Sequence, residues 1–268
     1  MTSLVLKLVL TPALIAAASL AGRRWGPSVS GWLVGLPLTS GPVAFFLALE
    51  RGAPFAAAAA LGSLAGAVAE AAFCLAYAYL ARRAAWPAAL VAASVAFAVV
   101  AGILQRQDVS LLATAVVTFA SLAAALWVMP SVTGRSVSAP LPRWDLGARM
   151  VIATVLVLAI TELAPLLGPR VSGILATFPV YAAILTVFAH RIGAAPAVQV
   201  LRGLLWGLFA FAAFFVVLGA LIERAGVTTA FIAAGTVAVA IQAASFARAR
   251  TWRNDVEWGH FKPRPRDP

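Results

Sequence analysis

Three ionisable side chains stand inside long apolar stretches of this 268-residue chain: Glu70, Glu162 and Arg202. A charge in hydrocarbon is costly, so such groups face a partner, a wet cavity or a translocation path. Glu70 and Arg202 each lie about eleven residues from the nearest arginines at a span end, or ~15 Å at helical rise. That shared depth predicts either an ion pair or charge compensation for something bound, and marks both residues for coupling. Glu162 falls near the end of its stretch and reads most simply as an interfacial carboxylate, with coupling as its functional alternative. His190, beside Arg191, reads as interfacial rather than as a proton carrier. Tyr181 and Gln242 are polar groups able to line a path.

Little else in the chain suits covalent or metal chemistry. It holds one cysteine, Cys74, and two histidines. No disulfide framework, metal-ligand spacing or paired-carboxylate motif emerges. No phosphate-cradling glycine loop is visible either. The expectation is therefore no catalytic residue, no cofactor, no metal and no enzyme.

The most informative residues are uncharged. GPSVSGWLVGLP begins at Gly26, and GPRVSGILATFP begins at Gly168. Gly-Pro starts a turn at the edge of a span. Ser30 and Ser172 are placed to cap the helix that follows. Gly31 and Gly173 leave room for another helix to approach. Pro37 and Pro179 then fall inside a span, where each removes the N–H that would reach the carbonyl of Leu33 or Leu175. The first copy adds Thr39 and Ser40. Paired spans interrupted by Gly and Pro at matching positions point to a mid-membrane binding site. The predicted substrate site comprises Ser30, Gly31, Pro37, Thr39, Ser40, Ser172, Gly173, Thr177, Pro179 and Tyr181. The structural alternative is that these residues only shape tight helix packing.

The elements that must position these groups are long apolar runs. Hydrophobic residues make up 63% of the chain and charged residues 11%, against about half and a quarter in soluble domains. Nine spans are read, near 4–22, 30–49, 55–81, 86–104, 109–130, 149–167, 172–190, 195–222 and 226–247. The fold class is all-α, a polytopic membrane protein. The net charge of +11 sits between spans and in the tail, as topology determinants do, and excludes a nucleic-acid face. GSLAG at 62–66 and GLLWG at 203–207 are G-xxx-G patterns for close packing of spans three and eight.

The two motifs belong to a duplication. At an offset of 142, Gly26, Pro27, Ser30, Gly31, Pro37 and Pro54 recur as Gly168, Pro169, Ser172, Gly173, Pro179 and Pro196. At an offset of 141, Gly62, Gly66 and Phe73 recur as Gly203, Gly207 and Phe214. The equivalents of Glu70, Glu162 and Arg202 are Phe211, Leu20 and Leu61, so the charges are asymmetric additions to a repeated frame. The first apolar run has a counterpart in the second copy, which argues for a retained helix rather than a cleaved signal peptide.

The layout is residues 1–105 as a four-helix repeat, 106–148 as a linker helix and loop, 149–248 as a second four-helix repeat and 249–268 as a basic tail. One unpaired helix between four-span copies inverts the second copy. Charge agrees: fourteen cations fall on one side and five on the other, with Arg202 inside a span. The richer side is cytoplasmic, placing the N-terminus outside and the C-terminus in the cytoplasm. Arginine in place of lysine, with abundant alanine, suggests a bacterial inner membrane.

SGILATFPVYAAILTVFAHRIGAAPAVQVLRGLLWGLFAFAAFFVVLGAL resembles the GlpM-type small bacterial inner-membrane proteins, chains of about four spans. The likeness is best over 168–247 and looser over 26–104. It implies a fused, inverted pair of such units and transfers no binding residue. The 4+1+4 layout is also similar to duplicated fluoride channels, without their Phe-Ser-Thr-Phe signature.

The expected function is a small transporter or permease, with substrate bound where spans two and seven cross. Its partners would be the lipid bilayer and a small molecule or ion, with a homo-oligomer left open. The alternative is a non-transporting scaffold in envelope biogenesis. Reporter tags on the two termini should fall on opposite membrane faces, and tags found on one face would remove the inversion.

Overall fold

The computed structural model is helical among its described residues. These are 24–37, 40–107, 109–130 and 177–258, with scattered positions between 5 and 21 and between 147 and 174. Thr39, Glu162, Ser172 and Gly173 lie outside the described residues, as do most of 4–22 and 149–167. Eight helices follow in order: α1 (Pro27–Val34), α2 (Ser40–Arg51), α3 (Ala53–Leu80), α4 (Trp86–Leu104), α5 (Leu111–Val128), α6 (Val180–His190), α7 (Ala194–Ala225) and α8 (Val227–Trp258). Five of them are long and apolar enough to cross a bilayer: α3, α4, α5, α7 and the Val227–Ser245 part of α8. The remainder of α8 carries the helix into the stretch expected to be tail.

Two helices form the centre. The most apolar stretch of α3 is 72% buried and that of α7 is 61% buried, against 22% in each of α4, α5 and α8. Helix α7 touches α1, α3, α5, α6 and α8, while α3 touches α2, α4, α5 and α7. Single glycines make the reversals into α3 and α8. Gly52 (φ 88°) and Gly226 (φ 78°) adopt left-handed backbone, which a Cβ disfavours.

The peripheral helices turn the soluble pattern inside out. Helix α4 buries Ala89, Ala93, Phe97 and Ala101 and exposes Val91, Val95, Val99 and Ile103. Helix α8 buries Ala230, Ala234, Ala238 and Gln242 at the same four-residue spacing. Lipid tails are as apolar as Val, so large side chains gain nothing by facing inward. Small ones let backbones approach and dispersion contacts accumulate. Thr118 adds an interhelical tie, its hydroxyl placed to donate to the carbonyls of Thr114 (2.8 Å) and Leu64 (3.1 Å).

The helix connections place Arg82, Arg83 and Arg191 at one end of the bundle, and Arg51, Arg106 and Arg224 at the other. Two bonds confirm that the first end is level: Tyr79 Oη donates to Val128 O (2.8 Å), and Tyr77 Oη meets His190 Nδ1 (3.1 Å). Tyr79, Trp86 and Trp127 are exposed at this end, as aromatic side chains are at a membrane interface.

Helices α1 and α7 approach each other backbone to backbone. A Cβ on Gly31 would collide with the backbone of Val200 and Leu204, and one on Gly203 with that of Ser28. Gly35 and Gly207 abut backbone to backbone. The partner of the GLLWG pattern is thus a short helix beside it. No side-chain movement relieves such a clash, so Gly203→Val should cost at least the ~1–3 kcal/mol of ordinary overpacking. The expected result is a lower thermal midpoint and poor recovery from membranes, with Gly235→Ala, which meets nothing within 4 Å, as the unaffected control.

Candidate functional site

The site is built around two interruptions. The first separates α1 from α2. Helix α1 is capped by Gly26 and has Pro27 at its first turn, so Ser30 lies inside the helix, 4% exposed. This corrects the expectation that Ser30 is the cap. Helix α1 stops at Gly35, and Leu36 N–H turns back to the carbonyl of Leu33 (3.3 Å). Leu33 O, the carbonyl Pro37 would leave unpaired, is satisfied in this way. The cost moves to Trp32 O, which has lost the Leu36 N–H of a continuing helix. Gln242 of α8 supplies the missing donor, with Nε2 at 2.9 Å. Trp32 Nε1 in turn donates to Ser245 Oγ (2.9 Å), and Ser245 Oγ to Gln242 O (2.9 Å). Pro37 O then accepts from Gly41 N–H (2.9 Å) as α2 begins at Ser40, which is buried.

The second interruption precedes α6. Thr177 N–H reaches Ile174 O (3.1 Å), and the Thr177 hydroxyl donates to the same carbonyl (2.6 Å). Pro179 caps α6, and its carbonyl accepts from Ala183 N–H (2.7 Å). Thr177 is 4% exposed and sits against Gly66, where any Cβ would strike its side chain.

Both interruptions lie at mid-bundle. Gly66 is thirteen residues from Ala53 and fourteen from Leu80, the ends of α3. Gly207 is thirteen residues from Ala194 and eighteen from Ala225, the ends of α7. The structure therefore brings Gly31 to α7 and Thr177 to α3, buries Ser30 within α1, and places Pro37 and Pro179 at the two breaks. Tyr181 is half-buried on α6, one residue into the helix.

The charged residues separate. No ion pair joins Glu70 to Arg202 among the described residues. Arg202 Nη2 instead donates to the carbonyls of Met129 (3.2 Å) and Pro130 (3.4 Å). These follow the last turn of α5, where unpaired carbonyls and the helix dipole attract a cation. Equal distance from the span ends suggested a pair, but the end of a third helix is the nearer acceptor. Glu70 is 5% exposed. It lies one turn beyond Gly66 on the same face of α3, with Cys74 a turn further and Tyr77 beyond that. No local pattern signals the Tyr77–His190 contact, whose partners are 113 residues apart.

No family model, curated protein or solved structure matches the chain. Its helices define a class, a helical multi-pass membrane protein in contact with lipid, and the site must be read on its own geometry.

Removing the Gln242 amide leaves Trp32 O without that donor, so Gln242→Leu should destabilise by ~1–3 kcal/mol. Gln242→Glu, which keeps acceptor atoms but lacks the amide donor, should not rescue. Thermal unfolding in detergent checks both, and an unchanged midpoint for Gln242→Leu would show that Trp32 O has another donor.

Proposed function

We propose that the chain is a small transporter or permease built from two inverted four-helix repeats. In this reading the substrate occupies the crossing of the broken helices near Pro37, Ser40, Thr177 and Pro179. The observation that carries it is a pair of contacts. Gly35 meets Gly207 at one interruption, and Thr177 meets Gly66 at the other. Thr177 is Gly35 shifted by 142, and Gly207 is Gly66 shifted by 141, the two offsets of the sequence duplication. The same crossing made twice by equivalent residues is what a duplicated frame requires.

An inverted pair of interrupted helices supports alternating access, because rocking one repeat on the other opens a central site to each face in turn. Nine spans, an N-terminus outside and a C-terminus in a bacterial cytoplasm belong to this reading. So does descent from a fused pair of GlpM-type units, and so do Thr39, Ser172, Gly173 and Glu162 as further site residues. The scaffold reading draws support from Arg202, whose guanidinium serves a helix end rather than a substrate.

Alternation is testable without knowing the substrate. In a Cys74→Ala background, Ser40→Cys and Thr177→Cys place thiols at positions that are now 6% and 4% exposed. A transporter should let a membrane-impermeant maleimide label each from both faces of oriented vesicles. Complete protection from both faces would favour the scaffold.

A further inference from the structure

The residue left over by these assignments is Glu70. Its carboxyl has no hydrogen bond or ion pair among the described residues, and Arg202, the cation expected to neutralise it, is held at the end of α5. An ionised carboxylate held apart from water and from any cation is costly, far more so than the neutral acid. The described helices packed on α3 offer no other counter-charge near it. Helices α4 and α5 contain no titratable residue. Helix α2 carries Glu50 and Arg51 only at its far end. On α7, Glu223 and Arg224 stand at the opposite end from Arg202.

What does accompany Glu70 is a line of polar groups leading to the Arg82 end. Tyr77 follows two turns later on the same face of α3, and its hydroxyl meets His190 Nδ1 at 3.1 Å. Tyr77 is fully buried, whereas His190 is half-buried at the end of α6 beside exposed Arg191. A group able to take and release a proton therefore stands near the bundle surface, joined to a buried phenol two turns from the carboxyl on the same face of α3.

We propose that Glu70 is a proton-binding site, filled and emptied from the Arg82 end through His190 and Tyr77. The step is simple in its balance: the carboxylate takes one proton and becomes the acid, with no other bond changed. His190 passes a proton across its ring, receiving at one nitrogen and donating from the other, and Tyr77 exchanges its hydroxyl proton. The remaining ~10 Å to Glu70, two turns of helix, is left for water to cross. Where the transport reading holds, on which this last point rests, the proton is the coupling ion.

Infrared difference spectroscopy of the purified protein at neutral pH tests the site directly. The carbonyl stretch of a protonated carboxylic acid should be present, shift in heavy water, vanish in Glu70→Gln and return at a displaced frequency in Glu70→Asp. Tyr77→Phe and His190→Ala should retain the band but slow its exchange into heavy water several-fold. A band absent from the wild type, or unchanged in Glu70→Gln, overturns the site. Exchange unaltered in both His190 and Tyr77 variants overturns the route. The cysteine-labelling result is independent of all three, so a proton site without alternation would sink transport while leaving Glu70 in place.

Discussion

Inside hydrocarbon every backbone carbonyl needs a donor from the protein, and that constraint organises the middle of this molecule. Breaking a helix at mid-membrane exposes carbonyls where water cannot reach them. Among the described residues helices break at mid-bundle twice, and the demand is met in two ways. At Ile174 the donor is local, the hydroxyl of Thr177 three residues on. At Trp32 the equivalent local position is Gly35, which has no side chain, and Gln242 reaches across from α8 instead. The two solutions exclude each other for a steric reason. Gly35 lies against the backbone of Gly207, so no side chain fits there, and the donor must come from another helix.

The same constraint explains why α3 and α7 are central. An interrupted helix has fewer internal bonds to hold it and depends more on its neighbours. Helix α1 is laid against α7 through glycine, backbone to backbone, and at the second interruption the Thr177 side chain lies against Gly66 of α3. Helices α3 and α7, at 28 and 32 residues, are ~42 and ~48 Å long and outreach the ~30 Å hydrocarbon core. They act as posts, and the half-helices lean on their midpoints. The outer helices then need only small residues inward and lipid-compatible ones outward, as the α4 stripes show.

What was legible in the sequence follows from how local each signal is. The boundaries of α4 match the 86–104 run because hydropathy and the Trp-Pro start are properties of neighbouring residues. Pro37 and Pro179 announced interruptions because proline acts on its own turn. Ser30 was misassigned since capping depends on where a helix begins, and Gly26-Pro27 begins it one turn earlier. Arg202 and Gln242 were opaque for a different reason. Each is explained by a carbonyl freed more than seventy residues away, and a carbonyl has no sequence signature of its own. Periodicity reveals which face is buried but not which backbone group on a distant helix has lost its donor.

Fate divides Glu70 of α3 and Arg202 of α7 in a way that bears on mechanism. Arg202 has been absorbed into architecture, since a helix end supplies acceptors that remain in place whatever the rest of the protein does. Glu70 has not been absorbed. On the proposed duplication its equivalent is Phe211, whose ring lies 4.7 Å from that of Phe215 and tilted 50° to it, so aromatic packing would stand there in place of a carboxyl. In the proposed duplicated frame, two identical halves would carry no preference for where a charge enters. Placing a carboxyl without an ion pair among the described residues on α3, on the face that also carries Tyr77, would give such a frame the chemical direction that its symmetry lacks.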